Sequence, residues 1–401
     1  MSPAAELEAG RARPALYTGP LIAICAVGLL GFASNFVIQP ILPVLVLEHG
    51  GDATLVGLVI AAFSFPSVAL RPFMGRLVDE WSNRLVLAAG MLIIALAGIA
   101  YLVPSLLIIF AIRVIHGTAW AAFNTGGHSM LARLAPPERR GEASGTYNLM
   151  PGIAQMVMPA VGLMLLGALG TPAPFIACGL LGLAGLAIVA GGPLHGFQPM
   201  PVSGTRPASG LIEGGAFLPM LLELLFSLSF TLFLVFPPVF AASRGIPLEE
   251  LTIYYPIYGG ALVGVRALSG RFLDRAPRGL VVAAGSALAI AGLAVAAAAD
   301  SVGVLTVGAA IYAAAAAFTS PTMMAMAIDR SDPRRLGAAM ATYTLGFQLA
   351  IGAGAALWGV VIDAFSYPAP YLVAIGVQIV LLLVLFAYRS ALGAPTMRTG
   401  G

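Results

Sequence analysis

Long apolar segments separated by short polar connections form the main pattern of this sequence. A helix that crosses the hydrocarbon core of a membrane needs about 20 apolar residues in succession. Segments of this kind lie near residues 18–47, 53–74, 85–103, 105–131, 142–167 and 171–193, and again near 216–241, 250–272, 279–299, 302–328, 336–363 and 367–390. The pattern therefore predicts an all-α membrane protein with 12 transmembrane helices.

A polar stretch rich in proline, glycine and serine separates the sixth apolar segment from the seventh. Such a composition disfavours packed structure. We therefore expect an N-terminal six-helix bundle over residues 1–193, a cytoplasmic linker over 194–215 and a C-terminal six-helix bundle over 216–401.

Composition excludes a water-soluble protein. Of the 401 residues, 59% are hydrophobic and 9% are charged, whereas soluble domains carry about 25% charged residues. The net charge is only +3, and no basic stripe indicates nucleic-acid binding. Cys25 and Cys178 lie in apolar segments without metal-ligand spacing, so we expect neither a metal site nor a cofactor.

The positions of arginine, which is the only basic residue type in the chain, predict the orientation. Positively charged residues that flank membrane helices are retained in the cytoplasm. Arg244 lies in a loop on one side of the membrane. The loops on the other side and the chain ends contain Arg11, Arg13, Arg76, Arg84, Arg133, Arg139, Arg140, Arg206, Arg271, Arg275, Arg278, Arg330, Arg334, Arg335, Arg389 and Arg398. Both termini are therefore predicted to be cytoplasmic, in a bacterial inner (cytoplasmic) membrane.

An internal repeat at an offset of about 195 residues indicates two related halves. The segment RPFMGRLVD, which begins at Arg71, has its counterpart in RALSGRFLD, which begins at Arg266. Residues 137–147 likewise pair with residues 333–343, and each of these segments ends in a tyrosine. Two parallel repeats of six helices suit a transporter that exposes a central site alternately to the two sides of the membrane.

These repeated segments resemble the major facilitator superfamily, and the resemblance covers nearly the whole chain. It implies two pseudo-symmetric six-helix bundles around a central cavity. The family's signature after helix 2 is a glycine, an aspartate four residues later and then basic residues. The first copy resembles this signature at Gly75, Arg76, Asp79 and Arg84. It departs from the signature at Glu80, Ser82 and Asn83. The second copy is the closer match, with Gly270, Arg271, Asp274, Arg275 and Arg278.

The resemblance further implies that Asp79 meets the start of helix 11, and pseudo-symmetry would bring Asp274 to the start of helix 5. The positive end of a helix dipole favours a carboxylate. We interpret the signature residues as conformational gates that close the cytoplasmic side. The alternative is a pair of loops that only retain positive charge in the cytoplasm.

Helix 4 contains an arginine that is predicted to lie deep in the bilayer. Arg113 follows Ser105 by eight residues, or about 12 Å of helix, and a charge at that depth costs about 3 kcal/mol or more unless it faces water or a partner. One face of the helix carries Arg113, His116, Gly117, Trp120 and Asn124. We expect this face to line the cavity; the alternative is an arginine that bonds to backbone carbonyls and fixes helix 4 in place.

Glu223 is the clearest acidic residue within a predicted span. It follows Ala216 by seven residues, about 10 Å along the helix, and it forms a stripe with Ser227 and Thr231. Apolar surroundings favour the neutral form of a carboxyl group, so its protonation could follow the proton supply. We predict Glu223, together with Arg113, to couple protons to transport; the alternative is a structural carboxyl group bonded inside the bundle.

Further cavity residues are polar or aromatic side chains on helices that line the cavity in the family. Each of them alone is more often an interhelical hydrogen bond than a ligand contact. Together with His116, Trp120, Asn124 and Ser227, the predicted set is Asn35, Gln39, Asn148, Gln155, Tyr254, Tyr255, Tyr258, Thr344 and Gln348.

The predicted function is export of a small amphipathic organic compound by proton antiport with alternating access. Pro159 and Gly162 of helix 5, which we also interpret as conformational gates, resemble the antiporter motif of proton-driven drug exporters, although Met158 and Leu163 replace two of its glycines. The alternative is a proton-coupled symporter or a facilitator that imports a polar or anionic metabolite, in which Arg113 would pair with the substrate.

A third possibility is an integral membrane enzyme or sensor, but the sequence offers no catalytic cluster for one. We therefore expect no enzymatic activity. The expected partners are a small-molecule substrate, protons and the lipid bilayer, with the chain acting as a monomer.

Overall fold

The computed structural model describes residues 16–80, 82–103, 105–136, 139–194, 213–273, 276–332 and 335–388. Within these residues the secondary structure consists of helices, without any strand. The high apolar content makes this expected, because a helix satisfies its own backbone hydrogen bonds inside a membrane.

Six spans form the first half. They are α1 (Gly19–Ile38, continued by Ile41–Glu48), α2 (Ala53–Ala69 as α2a and Arg71–Glu80 as α2b), α3 (Asn83–Ala100), α4 (Leu106–Leu134), α5 (Arg140–Leu169) and α6 (Pro172–Gly191).

Six further spans form the second half. They are α7 (Phe217–Ser227, Phe230–Leu234 and Pro237–Ser243), α8 (Leu251–Leu273), α9 (Arg278–Ala297), α10 (Val302–Asp329), α11 (Leu336–Ala364) and α12 (Ala369–Ala387).

The lengths of these helices suit a membrane. Among the described residues, 10 helices are long and apolar enough to cross it, and the bent pair α2a and α2b brings the number to 11. The 23-residue α8 completes the set of twelve. The observed helix ends lie within a few residues of the predicted ones. The predicted boundaries of the two bundles and the linker remain a prediction, because residues 195–212 lie outside the described part of the chain.

Three spans are interrupted where the sequence predicted continuous segments, and the interruption of α1 covers only residues 39–40. α2 bends by 45° at Leu70, two residues before Pro72, and a proline lacks the N–H that would continue the helical hydrogen bonds of the preceding turn. α7 is interrupted at residues 228–229 and again before Pro237. Each interruption frees carbonyl groups that must find hydrogen-bond donors inside the membrane.

Two helix pairs join the halves: α2a packs along α11, and α5 packs along α8. Glycines allow backbones to approach closely in membranes. A Cβ atom at Gly57 would collide with the carbonyl oxygen of Ala355, and one at Gly359 would collide with that of Ala53. The α2–α11 seam is therefore closely packed at these positions.

The two ends of the bundle differ. We call the end that carries Leu194 and Glu213 the linker end, because these residues flank residues 195–212, and we call the other the opposite end. The close glycine contacts of the α2–α11 seam lie toward the opposite end, whereas a Cβ atom at Gly75 or Gly145, near the linker end, would meet nothing within 4 Å. The closest backbone contacts that glycines make between α2 and α11 therefore lie toward the opposite end.

Candidate functional site

The carboxyl group of Glu223 lies at the meeting point of three helices of the second half. Its side chain is 1% exposed. Oε1 accepts hydrogen bonds from Ser227 Oγ at 2.7 Å and from Ser320 Oγ of α10 at 3.1 Å. Oε2 accepts one from the hydroxyl of Tyr343 on α11 at 2.7 Å. A buried carboxyl group with this many donors is fixed in position and well satisfied.

Tyr343 has a second acceptor within reach. Its hydroxyl also lies 2.7 Å from the carbonyl oxygen of Ser320. A tyrosine hydroxyl has one hydrogen to donate. When Glu223 is ionised, Tyr343 donates to the carboxylate; when Glu223 carries a proton, the carboxyl group can donate to Tyr343, which then donates to the Ser320 carbonyl. The geometry therefore accommodates both protonation states by a change of donor.

Arg266 of α8 completes this cluster. Its guanidinium lies within electrostatic range of Glu223 and Tyr343, and its Nε donates to the carbonyl oxygen of Ala317 at 3.4 Å. Sequence reasoning missed Arg266, Ser320 and Tyr343 as members of the site. The signal was present, since Arg266 and Tyr343 are both members of the internal repeat.

Arg113 is enclosed within the first half and does not line an open cavity. It is 3% exposed, its Nε donates to the carbonyl oxygen of Val59 at 3.3 Å, and its guanidinium lies 4.2 Å from the ring centroid of Phe63. These contacts tie α4 to α2 within the first half, as the alternative interpretation expected. Of the two predicted proton-coupling residues, Glu223 has Arg266 and not Arg113 as its neighbouring arginine, because α8 passes beside α7 and α10.

The other residues of the α4 face are mostly enclosed. His116 is fully buried, with its Nδ1 atom 3.2 Å from the Tyr101 hydroxyl. Trp120 is 7% exposed and packs edge-on against Phe32 at a centroid distance of 5.3 Å. Asn124 is half-buried, and its amide donates to the Trp120 carbonyl at 3.2 Å. In this conformation, only the linker-end part of the face is accessible.

The remaining predicted cavity residues divide by exposure. Asn148 is exposed, and Thr344 and Gln348 are half-buried on α11. Asn35, Gln39 and Gln155 are buried, each less than 10% exposed. The accessible members lie on α5 and α11, the helices that form the seams between the halves.

The three tyrosines Tyr254, Tyr255 and Tyr258 do not line an open cavity. All three are fully buried. Tyr254 donates to the carbonyl oxygen of Phe233 at 2.8 Å, and Tyr255 lies 3.5 Å from that of Leu234. Their assignment to the cavity is therefore corrected: two of them hold the carbonyl groups of the interrupted helix α7.

Other side chains perform the same task along α7. Gln378 and Tyr312 donate to the carbonyl oxygen of Phe226, Trp358 donates to that of Leu228 at 2.8 Å, and Tyr367 donates to that of Phe236 at 3.2 Å. The breaks in α7 explain why so many buried tyrosines surround it. The sequence signal was the Pro237–Pro238 pair, which predicts a break.

The predicted gating residues are only partly described. Asp274 and Arg275 lie outside the described residues, as do the side chains of Asp79 and Arg271, whereas the backbone of Gly270 belongs to α8. Arg76 is exposed. Two of the described arginines fix helix ends: Arg84 donates to the carbonyl oxygens of Val189 and Ala190, and Arg278 pairs with Asp329 at 2.7 Å.

The helix 5 motif marks a close contact within the first half. Pro159 is buried, and a Cβ atom at Gly162 would collide with the carbonyl oxygen of Val37 on α1. Gly162 therefore lets α5 lie directly against α1.

Twelve membrane-spanning helices in two related halves, with a buried carboxyl cluster inside the second half, define a multi-pass membrane transporter. A comparison with protein families gives its family. The model of the Major Facilitator Superfamily matches residues 24–313 and 220–398, so the chain belongs to this superfamily. The predicted family and the predicted fold are confirmed.

Two curated relatives are proteins of Staphylococcus aureus, one named for export and one for quinolone resistance. The staphylopine export protein is 25% identical over 142 residues, which is 35% of this chain and 36% of that protein. The quinolone resistance protein NorA is 23% identical over 145 residues, 36% of this chain and 37% of its own length. The chain thus matches about a third of the length of these relatives.

Solved structures share the fold over nearly the whole chain. The nucleoside transporter NupG superposes with a TM-score of 0.77 at 13% identity and covers 92% of this chain and 99% of its own. A transporter of the POT family gives 0.76 at 11% identity, with 93% and 96% covered. A bacterial homolog of the human lysosomal transporter Spinster gives 0.71 at 15% identity, with 93% and 95% covered.

Proposed function

We propose that this transporter exports a small amphipathic organic compound in exchange for protons. It would lie in a bacterial inner membrane with both termini in the cytoplasm. The observation that carries the proposal is the buried Glu223, whose hydrogen bonds suit both the ionised and the protonated carboxyl group. The staphylopine export protein and the quinolone resistance protein among its relatives support the direction of transport.

The cluster connects proton binding at Glu223 to the packing of four helices. Glu223 lies on α7, Ser320 on α10, Tyr343 on α11 and Arg266 on α8. Protonation removes the negative charge that faces Arg266 and reverses the hydrogen bond to Tyr343. Both changes alter the attraction between α7 and its neighbours, and a ligand that changes such contacts shifts the balance of two conformations.

The alternating-access part of the proposal has the halves separate toward the linker end, in a conformation open to the cytoplasm, and we call that opening the wedge. The close glycine contacts between α2 and α11 toward the opposite end support this arrangement. Proton release in this state and substrate capture through the wedge would precede the reverse movement. Gly162 keeps α5 against α1 during that movement, which is consistent with the antiporter-like motif.

Everted vesicles that contain the purified chain test the proposal. An acid interior is monitored with an acridine dye, and a panel of amphipathic cations, neutral compounds and anions is added. We expect at least one panel compound to dissipate the pH gradient and to accumulate in the vesicles, and we expect Glu223→Gln to abolish both effects. Glu249→Gln, which changes an exposed carboxylate at the opposite end, is the matched control.

Two results would contradict the proposal. Gradient-driven accumulation that survives in Glu223→Gln would remove the coupling role of this residue. Accumulation only in right-side-out vesicles with an acidic exterior would indicate import instead of export.

A further inference from the structure

The two halves repeat an arginine and a tyrosine at matching positions. Arg71 corresponds to Arg266, and Tyr147 corresponds to Tyr343, at the offset of about 195 residues that relates the halves. In the second half this pair surrounds the carboxyl group of Glu223. The first half therefore repeats the two residue types of this frame, and a partner for them can be sought at the equivalent place.

Gly28 of α1 occupies the position that corresponds to Glu223 in the second half, at the same offset of 195 residues. A Cβ atom on Gly28 would lie 2.8 Å from the ring of Tyr147 and 3.3 Å from its hydroxyl oxygen. The Tyr147 hydroxyl and the Nε atom of Arg71 are buried without a hydrogen-bond partner among the described residues. Buried polar groups are normally hydrogen-bonded, so this frame lacks the anion that its counterpart contains.

His128 adds a third polar group at this place. Its ring packs edge-on against that of Tyr147 at a centroid distance of 5.0 Å, and the charge of Arg71 acts on it. The Nδ1 atom lies 2.9 Å from the carbonyl oxygen of Asn124, which directs Nε2 away from the backbone. The side chain is exposed.

His128 lies between the two spans of the first half that pack against the second half. The ring of His128 contacts α5, and the charge of Arg71, at the start of α2b, acts on it. The spans α2 and α5 are the two that form the seams with the second half. An exposed residue between them, near the linker end of α4, would therefore face the opening that the proposed function requires between the halves.

We infer that Arg71 and His128 bind the acidic group of the transported compound, so that the substrate class is an amphipathic organic anion such as a carboxylate or a sulfonate. A guanidinium and an imidazole offer charge-assisted donors to such a group. This inference rests on the proposed transport function and adds the chemistry of its substrate.

A matched pair of fluorescent probes tests the inference by equilibrium binding. Dansylglycine carries a carboxylate, and dansylglycinamide is its neutral counterpart of nearly equal size. Both are titrated at pH 7 against the full chain in phosphatidylcholine nanodiscs, without a pH gradient. We expect the carboxylate to bind more tightly by about tenfold or more, as charge-assisted hydrogen bonds allow.

Three variants locate the effect. Arg71→Gln should remove the preference for the carboxylate, and His128→Gln, at an exposed position, should reduce it. Arg76→Gln, which changes an exposed arginine on the same helix, should leave it unchanged. Binding of dansylglycinamide should be similar in all of them, which shows that each variant is folded.

Equal affinity for the two probes in the unaltered protein, or a preference that persists in Arg71→Gln, would overturn the inference. Failure of proton coupling would not change this result, because no gradient is present. Conversely, loss of the carboxylate preference would leave the vesicle test of Glu223 intact. The two proposals can therefore fail separately.

Discussion

The carboxylate of Asp363 at the end of α11 accepts two hydrogen bonds from Thr54 at the start of α2. The backbone N–H of Thr54 and its hydroxyl each lie 2.6 Å from Oδ2, and the N–H of Ala53 lies 3.2 Å from Oδ1. The bonds join the two halves and bring a negative charge to the positive end of the α2 dipole. They close the opposite end of the bundle, whereas the sequence predicted carboxylate latches at the linker end.

Removal of this contact should open the opposite end. In Asp363→Ala, the N–H groups at the start of α2 lose their acceptor from the other half, and we expect the equilibrium to shift by about 1–2 kcal/mol toward separation at that end. The distance between spin labels in Glu48→Cys and Glu249→Cys, which are exposed positions in different halves at that end, should lengthen in a larger fraction of molecules.

The background for this labelling is low, because Cys25 and Cys178 are both buried. Asp52→Ala is a suitable control, since Asp52 caps the same helix through the N–H of Leu55 but makes this bond within its own half. An unchanged distance distribution in Asp363→Ala would show that the bond does not hold the halves together.

The hydroxyl of Tyr343 should contribute to stability as well as to coupling. Tyr343→Phe leaves an oxygen of Glu223 and the carbonyl of Ser320 without this donor, and we expect a loss of about 1–3 kcal/mol. Tyr147→Phe is the control from the other half, because the Tyr147 hydroxyl has no partner among the described residues. Thermal unfolding in detergent should show a lower midpoint for Tyr343→Phe only; equal midpoints would contradict the role of the bond.

The sequence predicted more of the fold than of the site, and the physical reason is the range of the interactions. Runs of apolar residues establish the spans locally, and an acid inside a span, such as Glu223, stands out because burial of its charge is costly. The partner of that acid depends on which helices become neighbours. Arg113 and Arg266 both lie in spans, and only the packing of α8 beside α7 shows that Arg266 is the one near Glu223.

Helix breaks explain the other difference between sequence and structure. Tyr254 reads as a cavity residue because a polar group in a span suggests contact with a ligand. Its actual acceptor is the carbonyl of Phe233, which is free because α7 is interrupted nearby. The proline pair at Pro237 predicts a break, but the residues that satisfy the freed carbonyls come from distant parts of the chain.

Two tyrosines one helical turn apart should therefore respond differently to loss of the hydroxyl. Tyr254→Phe removes the donor to the Phe233 carbonyl, and we expect it to cost about 1–3 kcal/mol of stability. Tyr258→Phe removes a buried hydroxyl that has no partner among the described residues, so its stability should be unchanged or slightly higher. Thermal unfolding of both variants checks this, and a larger loss for Tyr258→Phe would refute the assignment of the α7 carbonyl bonds.

A last prediction concerns the close backbone packing of the α2–α11 seam, tested by a substitution that adds only a methyl group. Gly57→Ala would drive a methyl group into the carbonyl oxygen of Ala355, and overpacking of this kind costs about 1–3 kcal/mol. Because the clash exists only when the halves touch near the opposite end, it should lengthen the same spin-label distance as Asp363→Ala. Gly264→Ala on α8, where a Cβ atom meets nothing within 4 Å, should leave that distance unchanged. If Gly57→Ala instead lowered thermal stability without altering the distance, the seam would be a permanent contact and not one that opens during transport.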